Sequence, residues 1–317
     1  MAIRAPMMVE PEAATDVFDA IAYTGGGEGT DQTVGTNITN DMTLSKDLGT
    51  TENGSLTDRI RGVTKNFCTS NAAAELTVTW FKNYPQVGFI INADQNRLNN
   101  TYVSYQWKRA KGYMDVVCDT RAFTYGTLNH SLGVVPELII KKNRSRASTL
   151  WDVLPNVSPY DYRYTFYLND TQAINGPAGS AYWQTAPTDT VFGVNYSGDG
   201  SSMGDTFVYY LFATLAGISK VGSFVGNGSS QTISCGFSAG SRYILIKRTD
   251  VAGDWYVWDS ARGIVAGNDP HISLNSNAAQ VTNDDSVDPA NSGFIVNQVS
   301  ATNINVSSAT YIFYAIA

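Results

Sequence analysis

Three cysteines in 317 residues, Cys68, Cys118 and Cys235, are too few and too widely spaced for a disulfide framework or a metal set. Each is expected as a small buried hydrophobe. Histidine is scarcer still, with only His130 and His271. A His-dependent nucleophile would need one of them beside a Gly-flanked turn, and Ser234-Cys235-Gly236 lacks the first glycine of such an elbow. His130 lies in the turn Asn129-His130-Ser131-Leu132-Gly133, where a backbone hydrogen bond is its expected task; His271 follows Pro270 in a loop. Charged residues make up 15% of the chain, against about 25% in ordinary globular proteins. The net charge of −7 argues against nucleic acid as a partner, since that asks for a basic stripe. Basic residues cluster once, at Lys141-Lys142-Asn143-Arg144-Ser145-Arg146, which reads as a solvated turn. No apolar run approaches the ~18 residues of a membrane span, so no membrane insertion is expected. The opening Met1-Ala2-Ile3-Arg4-Ala5-Pro6 has no signal-peptide core. A chain made in a cytosol is expected, reaching any outside role by another path such as lysis.

What replaces charge is Asn, Ser, Thr, Gly and Tyr, on an apolar content of 43%. That mixture favours strands and turns over surface helices. It also repeats. Phe89, Phe192 and Phe294 are 103 and 102 positions apart (192−89, 294−192), and Tyr102, Phe207 and Tyr311 are 105 and 104 apart. Pro85, Pro187 and Pro289 recur at intervals of 102, and Trp80 and Trp183 each precede the phenylalanine by nine positions. A unit of that size falls in the usual domain range of roughly 100–150 residues, so three consecutive domains are expected rather than a solenoid of short repeats. The expected division is an arm at 1–16, then copies at 17–111, 112–217 and 218–317.

Each copy reads as many short alternating strands with turns about every ten residues, an all-β fold of three tandem β-sandwich or jelly-roll-like domains. In copy one the polar stretch from Thr36 to Ser55 reads as loop, Arg59 to Phe67 as a strand, and Ser70 to Leu76 as a short capped helix. The last strands differ in character. In copy one Val103, Tyr105 and Trp107 alternate with Tyr102, Ser104 and Gln106; in copy two the second set becomes Phe207, Tyr209 and Leu211, and in copy three Tyr311, Phe313 and Ala315. Apolar patches of this sort mark contacts. The second face is therefore expected to be covered by a neighbouring domain or subunit in copies two and three, and exposed in copy one.

The ordered set of motifs resembles a repeated β-domain of structural proteins of tailed bacteriophages, tail and fibre proteins above all. Tyr23-Thr24-Gly25 and Gly226-Asn227-Gly228 match its glycine turn. His130, Leu132, Gly133, Pro136 and Ile140-Lys141 match its middle. Trp255, Asp259, Arg262-Gly263 and Leu274-Asn275-Ser276 match its tryptophan strand and the segment after it. Gly88-Phe89 and Gly293-Phe294, with Tyr102, Tyr105, Tyr311 and Tyr314, match its end. The resemblance covers roughly 17–317. Copy one departs in its middle third, where no Pro–strand–Lys element is recognisable, and copy two at the glycine turn, where Arg121-Ala122-Phe123 stands. It implies a virion structural role.

No catalytic residues, cofactor or metal site are expected. The acidic stretches Asp284-Asp285-Ser286-Val287-Asp288 and Asp199 to Asp205 offer oxygens for Ca²⁺ but lack EF-hand spacing, and loop solvation is the plainer reading. Trp80, Trp183 and Trp255 are expected in cores, while Trp258 is left open as a sugar contact. Met7, Met8 and Val9 form either a frayed terminus or a docking arm. Phe207, Tyr209, Leu211, Tyr311 and Phe313 are the expected interface faces, and they make a homo-oligomer the expectation. The expected function is a non-enzymatic virion protein, a tail fibre, tip or adaptor assembled in the host cytoplasm. It would serve as rigid spacer and adhesion module, with other tail proteins and a host-surface glycan or protein as partners. A capsid decoration or neck protein, or a carbohydrate-binding module, is the alternative.

Overall fold

The computed structural model describes residues 8–35, 37–85, 87–177, 183–197 and 199–317. Copy one holds β1 (Phe18–Thr24), β2 (Gln32–Val34), β3 (Met42–Asp47), β4 (Ser55–Asp58), β5 (Lys65–Cys68), β6 (Leu76–Thr77), β7 (Phe81–Asn83), β8 (Phe89–Ile91) and β9 (Thr101–Trp107). Copy two holds β10 (Met114–Thr120), β11 (Tyr125–Asn129), β12 (Leu138–Asn143), β13 (Trp151–Pro155), β14 (Phe166–Tyr167), β15 (Val191–Asn195) and β16 (Thr206–Phe212). Copy three holds β17 (Ser219–Val225), β18 (Gln231–Ser234), β19 (Tyr243–Arg248), β20 (Trp255–Asp259), β21 (His271–Ser273), β22 (Val287–Ala290), β23 (Gly293–Val296) and β24 (Thr310–Ile316). The fold is all-β; two single 3₁₀ turns, Ala14–Asp16 and Ala93–Gln95, are its helical content among the described residues.

Each copy is a sandwich of two antiparallel sheets. The larger, inner sheets run β1-β9-β3-β4-β5-β6, β10-β16-β12-β13-β14 and β17-β24-β19-β20-β21. The smaller, outer sheets run β2-β8-β7, β11-β15 and β18-β23-β22. The last strand of each copy, β9, β16 or β24, lies between the first and third strands of its inner sheet. Such a strand is buried on both faces. That explains why it is so apolar in copies two and three, β16 and β24.

The two faces have different neighbours. Val103, Tyr105 and Trp107, Val208, Tyr210 and Phe212, and Ile312, Tyr314 and Ile316 all enter one core, together with Phe67, Trp151 and Trp255. The opposite faces meet each copy's own outer sheet in three separate cores. The three inner sheets thus pack around a common axis. Three equivalent backbone hydrogen bonds join neighbours cyclically: Glu75 N to Arg144 O, Ile174 N to Thr249 O and Gln280 N to Leu48 O, each 3.0 Å. The copies form a pseudo-threefold cluster. The links between them are tight bridged turns, Ala110 to Met114 and Leu215 to Ser219. Gly112 (φ +77°) and Gly217 (φ +73°) supply the left-handed residue in each. On the axis a cavity of about 40 Å³, walled by Leu44, Ile140, Leu245, Tyr210 and Tyr314 among others, is apolar and too small for a ligand site.

Several expectations are corrected. Phe207, Tyr209, Leu211, Tyr311 and Phe313 are indeed buried, but beneath their own outer sheets, and Ser104 at 0% exposure is as covered as Tyr209 at 0%. The argument for a homo-oligomer from open strand faces falls with that. The stretch read as loop contains β3, whose Thr43 and Ser45 face copy one's outer sheet and so hid its strand character. β3 is also the missing middle element, since Lys46 holds the place of Lys142 and Lys247, the fifth residue of each third strand. Residues 59–64 form a turn, with strand only from Lys65, and 70–75 have no helix. Finally, Lys141, Lys142 and Asn143 are buried strand residues, so the solvated turn begins only at Arg144.

Candidate functional site

Two ion pairs with fully or almost fully buried side chains lie where copies meet. Asp58 and Arg61, both with fully buried side chains, are paired at 2.5 Å. The Arg61 backbone N–H donates to Asp58 Oδ1 at 2.8 Å, and the Tyr210 hydroxyl of copy two donates to Asp58 Oδ2 at 2.8 Å. Copy three repeats the unit. Arg262 Nε meets Asp259 Oδ2 at 2.6 Å, and the Tyr105 hydroxyl of copy one donates to that same oxygen at 2.8 Å. The spacing Asp-x-x-Arg-Gly is common to 58–62 and 259–263, and both glycines are left-handed, φ +104° and +115°. Burial works against the Arg61 charge, but Tyr210, Asp58 and Glu75 outweigh it and raise its pKa. Burial holds the Tyr105 and Tyr210 phenols well above their ordinary value. Glu75 extends the first clasp by accepting from Arg61 at 3.0 Å and Arg144 at 2.8 Å. The third interface has Pro155 at the aspartate's place and Tyr314 at the tyrosine's.

The three equivalent lysines are buried, with Lys46 at 2% and Lys142 and Lys247 at 0% exposure. Their ammonium groups donate to backbone carbonyls: Lys46 to Glu52 and, at 2.9 Å, Asn277; Lys142 to Thr149 at 2.5 Å; Lys247 to Thr171 at 2.8 Å and Gly253 at 2.5 Å. The Asn277 and Thr171 contacts cross to a neighbouring copy. Burial pushes each lysine down to about 8.

One interior is unlike the others. Facing copy one's outer sheet are Thr43, Ser45, Ser55, Thr57, Asn66, Ser104 and Gln106, all at 0% exposure. At the matching places of copies two and three stand Ile139, Leu154, Leu211, Ile244 and Trp258. Ser55 donates to Asn66 and Gln106 to Ser104, but Asn66 Nδ2, Gln106 Oε1, Gln95 Oε1 and Asn40 Oδ1 find no protein partner. Native interiors satisfy such groups with ordered water.

The residues singled out from the sequence are scattered. His130 bonds backbone on both sides, Nε2 with Thr188 O at 3.1 Å and Nδ1 with Leu132 N at 3.2 Å. His271 is not in a loop but in β21, buried, its Nδ1 3.5 Å from Asp284 Oδ2. Nearby Asp269 is fully buried, and burial pushes its carboxyl up to about 7. Burial also pushes the Cys235 thiol up to about 12, away from nucleophilic use. The acidic loops are held by side chains. Asn297 Nδ2 donates to Asp285 at 3.0 Å and Asp288 at 2.7 Å, Lys141 meets Asp199 at 2.9 Å, and Arg146 meets Asp205 at 2.5 Å. No group of three or more His, Cys, Asp or Glu that could hold a metal occurs among the described residues. Trp258 is 0% exposed, packed 5.4 Å from the His271 ring, so the sugar contact left open for it is ruled out. Trp183 and Trp255 are core residues, while Trp80 is half-buried. Of the arm, Met7 lies outside the described residues, Met8 is half-buried and Val9 is exposed, its carbonyl accepting from Lys111 N at 3.3 Å.

Sequence reasoning passed over two features. One is the pairing of Asp58 with Tyr210 and of Asp259 with Tyr105; the duplicated Asp-x-x-Arg-Gly was its visible signal. The other is a groove of about 520 Å³ between copies two and three, bordered by Glu137, Ser158, Lys220, Ser223 and Thr232 among others. No sequence signal announces it.

No curated protein matches the chain. A family model described as a domain of unknown function, DUF7483, matches residues 13–317, taking in all three copies as one unit. The chain therefore belongs to the DUF7483 family of domains of unknown function.

Proposed function

We propose that the chain is a structural component of a tailed-phage virion, placed in the tail as a tip or adaptor block with an adhesive outer surface. The observation that supports this most is the cyclic packing of three sandwiches around one core, with buried clasps at two of the three interfaces. Asp58, Arg61, Asp259, Arg262, Lys46 and Lys247 are engaged where copies meet, and Lys142 ties a loop of its own copy. Charges so engaged are unavailable as acids, bases or nucleophiles. A shared core with polar outer loops suits a rigid particle part that offers loops to a partner. The order of glycine, tryptophan and tyrosine motifs supplies the link to phage structural proteins, and it is a resemblance of sequence. A compact cluster replaces the extended spacer that three domains in line would make.

The test is immunogold labelling of purified particles of a phage that encodes this chain, with antibody raised against it. Label at the tail is expected. Label confined to the capsid, or none on intact particles that contain the other structural proteins, would overturn the proposal.

A further inference from the structure

The three interfaces can be compared position by position. The residue before the third inner strand is Asp41, Glu137 or Arg242, and the facing residue on the first strand is Asp19, Asp115 or Lys220. Between copies three and one, Arg242 spans the gap, reaching Asp19 Oδ1 at 2.7 Å and Phe18 O at 3.2 Å. Between copies one and two, Arg109 spans it, its backbone N–H on Asp41 at 2.8 Å and its Nη2 on Asp115 at 2.6 Å. Between copies two and three, Glu137 accepts from Thr214 N at 2.6 Å instead, and no ion pair joins it to Lys220 among the described residues. Here lies the groove of about 520 Å³, within the range of roughly 300–1,000 Å³ typical of small-molecule sites, and at a junction between domains where such sites concentrate.

Its floor is opened by one residue. Gly222 stands where copies one and two have Ile21 and Val117. A Cβ there would lie 2.6 Å from Phe313 Cζ, so the bare glycine leaves the ring edge as part of the lining. Phe224, stacked on Tyr311 at 4.8 Å and 14°, gives a second fixed aromatic surface. Around these apolar surfaces stand the side chains of Asn156, Ser158, Thr232 and Ser234. One carboxylate and one ammonium border the site, so their charges cancel.

We propose that this groove binds a neutral saccharide unit. Its hydroxyls would be met by the Ser, Thr and Asn groups and its C–H face by Phe313 and Phe224. The proposal deepens the adhesive part of the function above. An extended peptide fits less well, because strand addition along β17 is obstructed. The Val221 N–H and carbonyl are already engaged by Thr214 Oγ1 at 3.1 and 3.4 Å, and Ser223 Oγ donates to Ser158 O at 2.5 Å.

The experiment is saturation-transfer NMR on the full chain with methyl-α-D-glucopyranoside, methyl-α-D-mannopyranoside and N-acetyl-D-glucosamine. It is repeated on Thr232→Trp and Ser234→Trp, both at exposed edge positions, with thermal unfolding to show that each variant folds. Transfer to at least one sugar is expected, falling to background in both variants. Silence from all three sugars with the wild-type chain overturns the proposal, as does transfer unchanged in the folded variants. Sugar binding by a chain that labels no tail would overturn the particle role alone, and tail labelling without sugar binding would overturn the groove alone.

Discussion

The pseudo-threefold arrangement places three tyrosines, Tyr105, Tyr210 and Tyr314, at equivalent points, and it makes unequal demands on them. Tyr210→Phe keeps the ring and its packing and removes one hydroxyl that donates to the buried Asp58 carboxylate at 2.8 Å. A hydrogen bond to a charged partner contributes about 1.5–3 kcal/mol. Asp58 retains Arg61, so the cost stays near 2 kcal/mol and does not reach the larger figure of an unpaired buried charge. Tyr105→Phe should cost at least as much, since Arg262 Nη2 also loses the hydroxyl as a neighbour at 3.1 Å. Tyr314→Phe should cost less than about 1 kcal/mol, because Pro155 offers no carboxylate and a hydrogen bond between neutral groups contributes little net. Urea unfolding followed by tryptophan fluorescence, with the slope held constant across variants, reads these differences directly. Equal losses for all three tyrosines, or a neutral Tyr210→Phe, would refute the reasoning.

The same geometry carries four more expectations. Lys46, Lys142 and Lys247 release their protons near pH 8 when folded but near 10.5 when unfolded. Between those values the unfolded chain binds more protons, so stability should rise with pH from about 8 until the unfolded tyrosines ionise near 10; a flat or falling urea midpoint over that window contradicts the buried lysines. Asp269, with a carboxyl pushed up to about 7, binds its proton more tightly folded than unfolded, so it withdraws stability as pH rises from about 4 to 7. Asp269→Asn should flatten that slope and raise the melting temperature at pH 8. Gln106→Leu, which supplies the residue copy two uses at Leu211, removes an unpartnered buried amide oxygen and should be neutral or stabilising by about 1 kcal/mol in urea unfolding. Gly226→Ala should be destabilising by about 1–3 kcal/mol in the same assay, because its Cβ would meet Val306 O at 2.2 Å.

The strand content, the three-copy period and the aromatic cores were legible because they rest on local alternation and on residues recurring about every hundred positions. β3 was not, because Thr43 and Ser45 face a polar interior and leave no alternation of apolar with polar. The role of each strand face was misjudged for a related reason. Alternation shows that a strand has two environments, but it does not say whether a neighbouring copy or the same copy's second sheet supplies each one. The clasps join residues 152 and 154 positions apart, and pairing at that distance is set by how whole sheets meet. The same holds for the groove, which exists because Arg242 and Arg109 have no counterpart at one interface of three.

The arrangement of the copies around one axis is tested most directly by small-angle scattering of the purified chain, with its mass measured in the same experiment. A compact monomer of 317 residues should give a radius of gyration of about 20 Å. Three separate domains of ~13 Å each, strung in line, would give about 30 Å at the same mass, and that result would contradict the shared core.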